Sequence, residues 1–207
     1  MAVSFDCFGT LVTADRPAEP WVAVAAELRE RGFPVPDDWE AAYRSSHRDY
    51  DRGAEAPLDE HVRLSLASRD VEIAAATGRE VTLAAFDGSV SVRDGAREAL
   101  AAARDYGPIA VCSNCSVPGL VERTLDRTDL AADAVVTSVD CGWRKPHPQI
   151  FEATAAALEC SLGALVHVGD DARTDGGAER VGATSVLVAD VPLAELPGWL
   201  EREGPLC

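Results

Sequence analysis

Short apolar runs recur between helical segments, and this alternation constrains the fold more than any other feature of the chain. The runs are 2–5 (AVSF), 108–112 (PIAVC), 134–138 (AVVTS), 164–168 (ALVHV) and 184–188 (TSVLV). Strands this short and this apolar suit burial on both faces. Parallel neighbours need crossover connections, which the intervening helices supply. Helices are expected at about 94–104, from a cap at Asp94 to a stop before Gly107, and then at about 118–127, 148–158 and 173–181. The tail has room for one short helix more. The expected fold class is α/β, a doubly wound parallel sheet with helices on both faces.

From about Asp15 to about Ala85 the pattern changes. Apolar residues return at helical spacing in 21–31, 38–51, 58–68 and 72–85, punctuated by Pro17, Pro20, Gly32, Pro34, Pro36, Gly53 and Pro57. This reads as an all-helical insertion placed directly after the first strand. The expected division is a core of 1–14 and 86–207 with an inserted subdomain of 15–85. A chain of 207 residues can bury a core of that size with a modest insertion.

The charge balance narrows the partners. The net charge is −16, from 35 acidic and 19 basic residues, which argues against nucleic acid, since phosphate backbones are bound by basic surfaces. No apolar run has the length needed to cross a bilayer, and MAVSFDC carries no basic leader, so a cytoplasmic protein without a membrane partner is expected. Lys145 is the only lysine; every other basic residue is Arg. High acidity with almost no lysine resembles proteins of salt-loving microbes. In roughly 1 M salt the screening length is only about 3 Å, and an acidic surface then stays soluble without severe self-repulsion. The six cysteines, Cys7, Cys112, Cys115, Cys141, Cys160 and Cys207, are expected to be reduced. The C-x-x-C of Cys112 and Cys115 has neither a second pair nor a nearby His to complete a zinc site, and reads as buried thiols.

Sites in open parallel sheets form at the carboxyl ends of the strands. The first strand here ends in Asp6 and meets a Gly9-Thr10 turn. PIAVC ends in Ser113-Asn114, AVVTS leads into the loop that carries Lys145, and ALVHV ends in Gly169-Asp170-Asp171, with Asp175 a turn later. A carboxylate, a hydroxyl–amide pair, an ammonium and an acidic cluster thus reach one edge. Asp6 is the candidate nucleophile. Ser113 can hold an anionic group of the substrate, with Thr10 and Asn114 as further substrate contacts. Lys145 can neutralise charge on nucleophile and substrate, and its survival in an arginine-rich chain points to a required compact ammonium. Asp6 and Asp170, with the backbone carbonyl of Phe8, offer hard oxygens suited to Mg²⁺, and Asp171 or Asp175 can complete that site or orient its waters. His167, inside a strand pattern, reads as structural.

FDCFGTLV, SN at 113–114, WRKPHPQIF and GDDARTD resemble, in order and spacing, the four motifs of the haloacid dehalogenase-like (HAD) hydrolase superfamily. The resemblance spans the chain and implies a Rossmann-like core, a helical cap at 15–85 that closes over the site, and a covalent intermediate at Asp6. Most members are Mg²⁺-dependent phosphohydrolases, with Asp where this chain has Phe8. That Asp protonates the leaving alkoxide and then activates water; here a cap residue such as His47 or Asp49 would have to supply the proton. The 2-haloacid dehalogenases of the same superfamily carry an aromatic residue at that position. Halide needs no proton, and an arginine holds the substrate carboxylate; Arg44 would be that residue here. The diacid pattern at 170–175 resembles that of the metal-using phosphatases, and carboxylates gathered near Asp6 would repel one another without a cation. The leading expectation is therefore a Mg²⁺-dependent phosphohydrolase of a small anionic metabolite. A metal-independent dehalogenase and a weakened, substrate-binding protein are the alternatives.

Overall fold

AVSF is apolar or small throughout and buried at every position, which places it inside the sheet rather than at an edge. The computed structural model describes residues 1–203; Cys207 lies outside the described residues. In chain order β1 (Ala2–Phe5) turns into β2 (Val12–Ala14) and then into α1 (Pro20–Glu30), α2 (Trp39–Arg44), α3 (Leu58–Ala67) and α4 (Ala75–Phe86). β3 (Val90–Val92) returns antiparallel to β2. There follow α5 (Ala96–Arg104), β4 (Ile109–Ser113), α6 (Leu120–Thr128), β5 (Ala134–Thr137), the single turn α7 (Ser138–Cys141), α8 (Pro148–Ala157), β6 (Leu165–Gly169), a 3₁₀ stretch at Asp175–Val181, β7 (Thr184–Leu187) and α9 (Leu196–Glu203).

The five-stranded sheet is parallel, in the order β5-β4-β1-β6-β7. The chain leaves β1 toward β4 on one side and later toward β6 on the other, so the topological switch point lies at β1. That is where open α/β sheets form their crevices, and Asp6 stands at its mouth, its N–H held by the carbonyl of Val168 at 2.8 Å. One apolar layer joins β1, β4 and β6 to α5, α6 and α9 through Phe5, Val111, Leu100, Leu125 and Leu200. The other joins the sheet to α8 through Ile150, Phe151 and Leu165. The helices α1–α4 enclose their own cluster of Val24, Leu28, Trp39, Val62, Leu66 and Val81.

Several local expectations give way to tertiary chemistry. The helix expected over 38–51 stops at Arg44, because Ser45 is extended and donates its hydroxyl to the carbonyl of Ala41 (2.7 Å), while His47 Nε2 donates to that of Ala42 (2.7 Å). The 173–181 segment is 3₁₀, not α. Gly176-Gly177 favours a tighter turn, and a side chain at Gly177 would lie 2.5 Å from Pro146. Asp94 does not cap α5, which starts from Gly95 with no side-chain cap. β2 and β3, three residues each, are too short to show a period-two pattern. The five described cysteines are free, and burial pushes the thiols of Cys112 and Cys115 up to about 11. No helix among the described residues is long and apolar enough to cross a membrane.

Candidate active site

Asp6, Ser113, Asn114, Lys145, Asp170, Asp171 and Asp175 line one recess of about 220 Å³ at the carboxyl edge of the sheet, together with Phe8, Arg16, Arg144 and Thr174. Its centre is Lys145. Its side chain is 1% exposed, and the ammonium lies 2.7 Å from each of three acceptors: Asp6 Oδ1, Asp175 Oδ1 and the carbonyl of Cys112. An ammonium has three protons to donate, so all are engaged and Lys145 acts on a ligand through its charge alone. Burial works against that charge, but the carboxylates of Asp6 and Asp175 outweigh it and hold the amine above its ordinary range.

The other residues fall into an outer and an inner set. Asp175 Oδ1 also accepts from His167 Nε2 at 3.0 Å, and its Oδ2 accepts the N–H of Asp171 at 3.0 Å. Despite burial, His167 and Lys145 keep its carboxyl well below the usual carboxylate range. His167 Nδ1 meets the Ser4 hydroxyl at 2.8 Å. Burial and the Lys145 charge push His167 down, so the neutral ring donates from Nε2 and accepts at Nδ1. Ser4, His167, Asp175 and Lys145 thus form a chain behind Asp6 that fixes the orientation of the nucleophile candidate.

Three expected substrate contacts and two expected metal ligands have other partners. The Asn114 amide is closed on the backbone of Lys145, donating to its carbonyl (3.0 Å) and accepting its N–H (2.7 Å). Thr10 is fully buried and donates to Asp170 Oδ1 at 3.3 Å. Arg44 does not line this recess. Its guanidinium stacks 4.0 Å over Trp21 and pairs with Glu40 at 2.9 Å. These two neighbours lie on the surface of the same helical segment and draw the side chain off the site. Asp171 grips Arg173, whose Nε and Nη2 lie at 3.1 and 2.8 Å, and the carboxylate of Asp175 is occupied as described. Among the described residues no group of three or more His, Cys, Asp or Glu converges in metal-holding geometry.

Of the four carboxylates that line the recess, two therefore keep an oxygen open to it: Asp6, whose Oδ1 alone is bonded, and Asp170 at the exposed rim, whose Oδ1 alone accepts from Thr10. Burial and then the Asp6 charge push Asp170 up, the mark of an acid beside another acid. Gly9 permits their approach. Its φ is +99°, and a side chain there would lie 2.4 Å from Asp170 Oδ2. The Ser113 hydroxyl, buried and without a hydrogen-bond partner, is a further donor beside the recess. An orphaned buried donor beside a recess fits a ligand oxygen.

A second recess of about 270 Å³ adjoins the first and shares Phe8, Arg16, Asn114 and Arg144 with it; Tyr43, Leu58, Phe86, Val117 and Leu120 give it an apolar body. Phe8 is the wall between the two, with the Arg16 guanidinium 5.3 Å over its ring. His47 and Asp49 line neither recess. Arg16 and Arg144 line both recesses without being legible in the sequence as site residues. Arg144 stands beside Lys145 in WRKPHP, and that adjacency is its one local signal; nothing local marks Arg16.

A model of haloacid dehalogenase-like hydrolases matches residues 1–182. A search of curated proteins returns no match. Among solved structures, the 2-haloacid dehalogenase of Pseudomonas syringae pv. Tomato DC3000 shares 22% identity at TM-score 0.66, over 97% of this chain and 98% of its own. The HAD phosphatase of Thermococcus onnurineus shares 25% at TM-score 0.54, over 90% and 85%. A HAD family enzyme of Bacteroides thetaiotaomicron, in complex with magnesium and inorganic phosphate, shares 12% at TM-score 0.58, over 90% and 92%.

Proposed function

The chain belongs to the haloacid dehalogenase-like hydrolases, and on that premise we propose that it is a Mg²⁺-dependent phosphohydrolase of small phosphomonoesters, with Asp6 as nucleophile and the helices of 15–85 as its cap. The observation that carries this reading is the charge at the recess. Asp6 and Asp170 face it together, the Lys145 ammonium has all three protons engaged behind them, Arg144 is paired with the buried carboxylate of Glu55, and Arg16 lies over the Phe8 ring. A divalent cation balances such a pair. Mg²⁺ is commonly held by one or two carboxylates, waters and substrate phosphate, which Asp6, Asp170 and the Phe8 carbonyl can accommodate. Bound there, it would neutralise developing charge on the phosphoryl oxygens.

The steps then follow from this chain's own groups. An Asp6 carboxylate oxygen attacks phosphorus, the bond to the leaving oxygen breaks, and an aspartyl phosphate forms. Water next attacks that phosphorus, releasing inorganic phosphate and restoring the carboxylate. The Ser113 hydroxyl donates to a phosphoryl oxygen, and the Lys145 charge stabilises the crowded anions. The organic part of the substrate occupies the apolar recess behind Phe8, with Arg16 and Arg144 at its mouth. Phe8 has no proton to give the departing alkoxide, so solvent supplies it and esters with good leaving groups react best. The net charge of −16 suits assay in molar KCl.

Phe8→Asp tests this directly. It adds the missing acid–base group beside the nucleophile, and such groups contribute roughly 10²–10⁴-fold. The rate on poor leaving groups should rise toward that range, as read from initial rates on an alkyl phosphate, with little gain on p-nitrophenyl phosphate. An unchanged or lower rate on the alkyl ester opposes phosphoryl transfer. Phe8 and the apolar recess favour one second reading, displacement of halide from a 2-haloacid. There Asp6 attacks carbon, halide leaves without a proton, and Arg16 or Arg144, rather than Arg44, meets the substrate carboxylate.

A further inference from the structure

Glu55 lies in the extended stretch between α2 and α3, far in sequence from every motif, yet its side chain is 1% exposed. Its Oε1 accepts from the Ser116 hydroxyl (2.9 Å), from Arg144 Nη1 (3.0 Å) and from the N–H of Ala56 (2.9 Å). Its Oε2 accepts from the Ser138 hydroxyl and from Arg144 Nη1 at 3.2 Å. The backbone on either side is stitched to the same loops. Glu55 N–H donates to Gly142 (2.8 Å), Arg144 N–H to Gly53 (2.9 Å), and Leu58 N–H to Ser116 (2.8 Å). One carboxylate from the middle of the helical segment therefore ties together the loop after β4, the turn after β5 and the loop that delivers Lys145.

This is a third attachment of the helical segment to the sheet, beyond the two chain connections near Asp15 and Gly88. It reaches the nucleophile by a short path. Ser116 follows Asn114, Arg144 precedes Lys145, and Asn114 and Lys145 are already joined by a reciprocal pair of hydrogen bonds. Swinging the helices away as a body would strip a buried carboxylate of its donors. Charge-assisted hydrogen bonds to such a group are among the stronger ones in proteins.

We propose that Glu55 is a positioning residue and a tether. It fixes the Arg144 guanidinium at the mouth shared by both recesses, and it keeps the helical segment docked through turnover, so that substrate enters past Arg16 and Arg144 without wholesale opening. The catalytic half of this proposal rests on the hydrolase reading of Asp6; the tether does not, and hydrogen exchange separates them. In the wild-type protein the amides of Glu55, Leu58 and Arg144 should exchange with the slow class of the β1 and β4 amides. In Glu55→Gln they should accelerate roughly 10–100-fold, the ratio that a charge-assisted hydrogen bond is worth, while β1 stays protected. Exchange of the wild-type amides at the rate of exposed loops overturns the tether, whether or not any substrate is turned over. For positioning, Glu55→Gln should lower kcat/KM on p-nitrophenyl phosphate in the wild-type background and add no further loss to Arg144→Gln. Losses that multiply in the double variant show that Glu55 does not act through Arg144 and overturn that half.

Discussion

Asp6→Asn should lower turnover by roughly 10⁴–10⁶-fold, the scale on which loss of a nucleophile is felt, and leave the protein folded. The amide keeps the shape of the carboxylate, and its oxygen can still accept from Lys145, which retains Asp175 and the Cys112 carbonyl at 2.7 Å. Removing a negative charge from a recess shared with Asp170 also relieves repulsion there. The melting temperature should therefore stay close to wild type while the rate collapses. A variant that keeps a tenth of the activity would remove Asp6 from the chemistry, because an amide cannot replace a carboxylate as the nucleophile.

Lys145→Met should be the most destabilising single change at the site. It leaves Asp6 and Asp175 buried without their shared cation. Breaking a buried pair by removing one partner costs about 3–5 kcal/mol, against a typical total of roughly 5–15 kcal/mol. For a chain of this size that corresponds to a drop in melting temperature of roughly 6–20 °C. The sign with pH is also determined. In the wild type Asp175 is held low, so its contribution is present above the ordinary Asp value and is lost only as pH falls through its depressed one. Losing Lys145 removes one cause of that depression. The deficit relative to wild type should thus be full at neutral pH and narrow only as pH falls below the ordinary Asp value. Adding Asp175→Asn should recover part of the loss, because one of the two stranded charges disappears. A melting temperature within a degree or two of wild type would show that the ammonium is not the keystone its contacts describe.

What could be read from the residues alone divides along a physical line. β1, β4 and β6 announce themselves because strands buried on both faces must be apolar throughout, and the polar residues that end them are placed by topology before any side chain is seen. Asp6, Ser113, Lys145 and Asp170 reach one edge for that reason. The roles inside the set were less legible. Whether Asp175 faces a metal or a lysine depends on the ammonium being 2.7 Å away, a tertiary distance with no local spacing behind it. Asn114 and Thr10 read as substrate contacts because amides and hydroxyls commonly are; here their partners are the Lys145 backbone and Asp170. Arg44 was drawn off by Trp21, 23 positions earlier in the chain, and by Glu40 one turn back. Glu55 was invisible because its three side-chain partners lie 61 to 89 residues away.

The same distinction applies to Phe8. By sequence it conflicts with the acidic cluster that follows β6. In the fold it forms the wall between a charged recess and an apolar one, which removes a proton donor and leaves the oxygens that face a cation in place.

The most direct test is the metal dependence of turnover, measured on a panel of phosphomonoesters in molar KCl with Mg²⁺ and again with excess chelator. Phosphate release that requires Mg²⁺, is abolished by chelator and is lost in Asp6→Asn is the predicted result. Halide release from 2-chloropropionate that survives chelator, with no phosphate release from any ester, would contradict it.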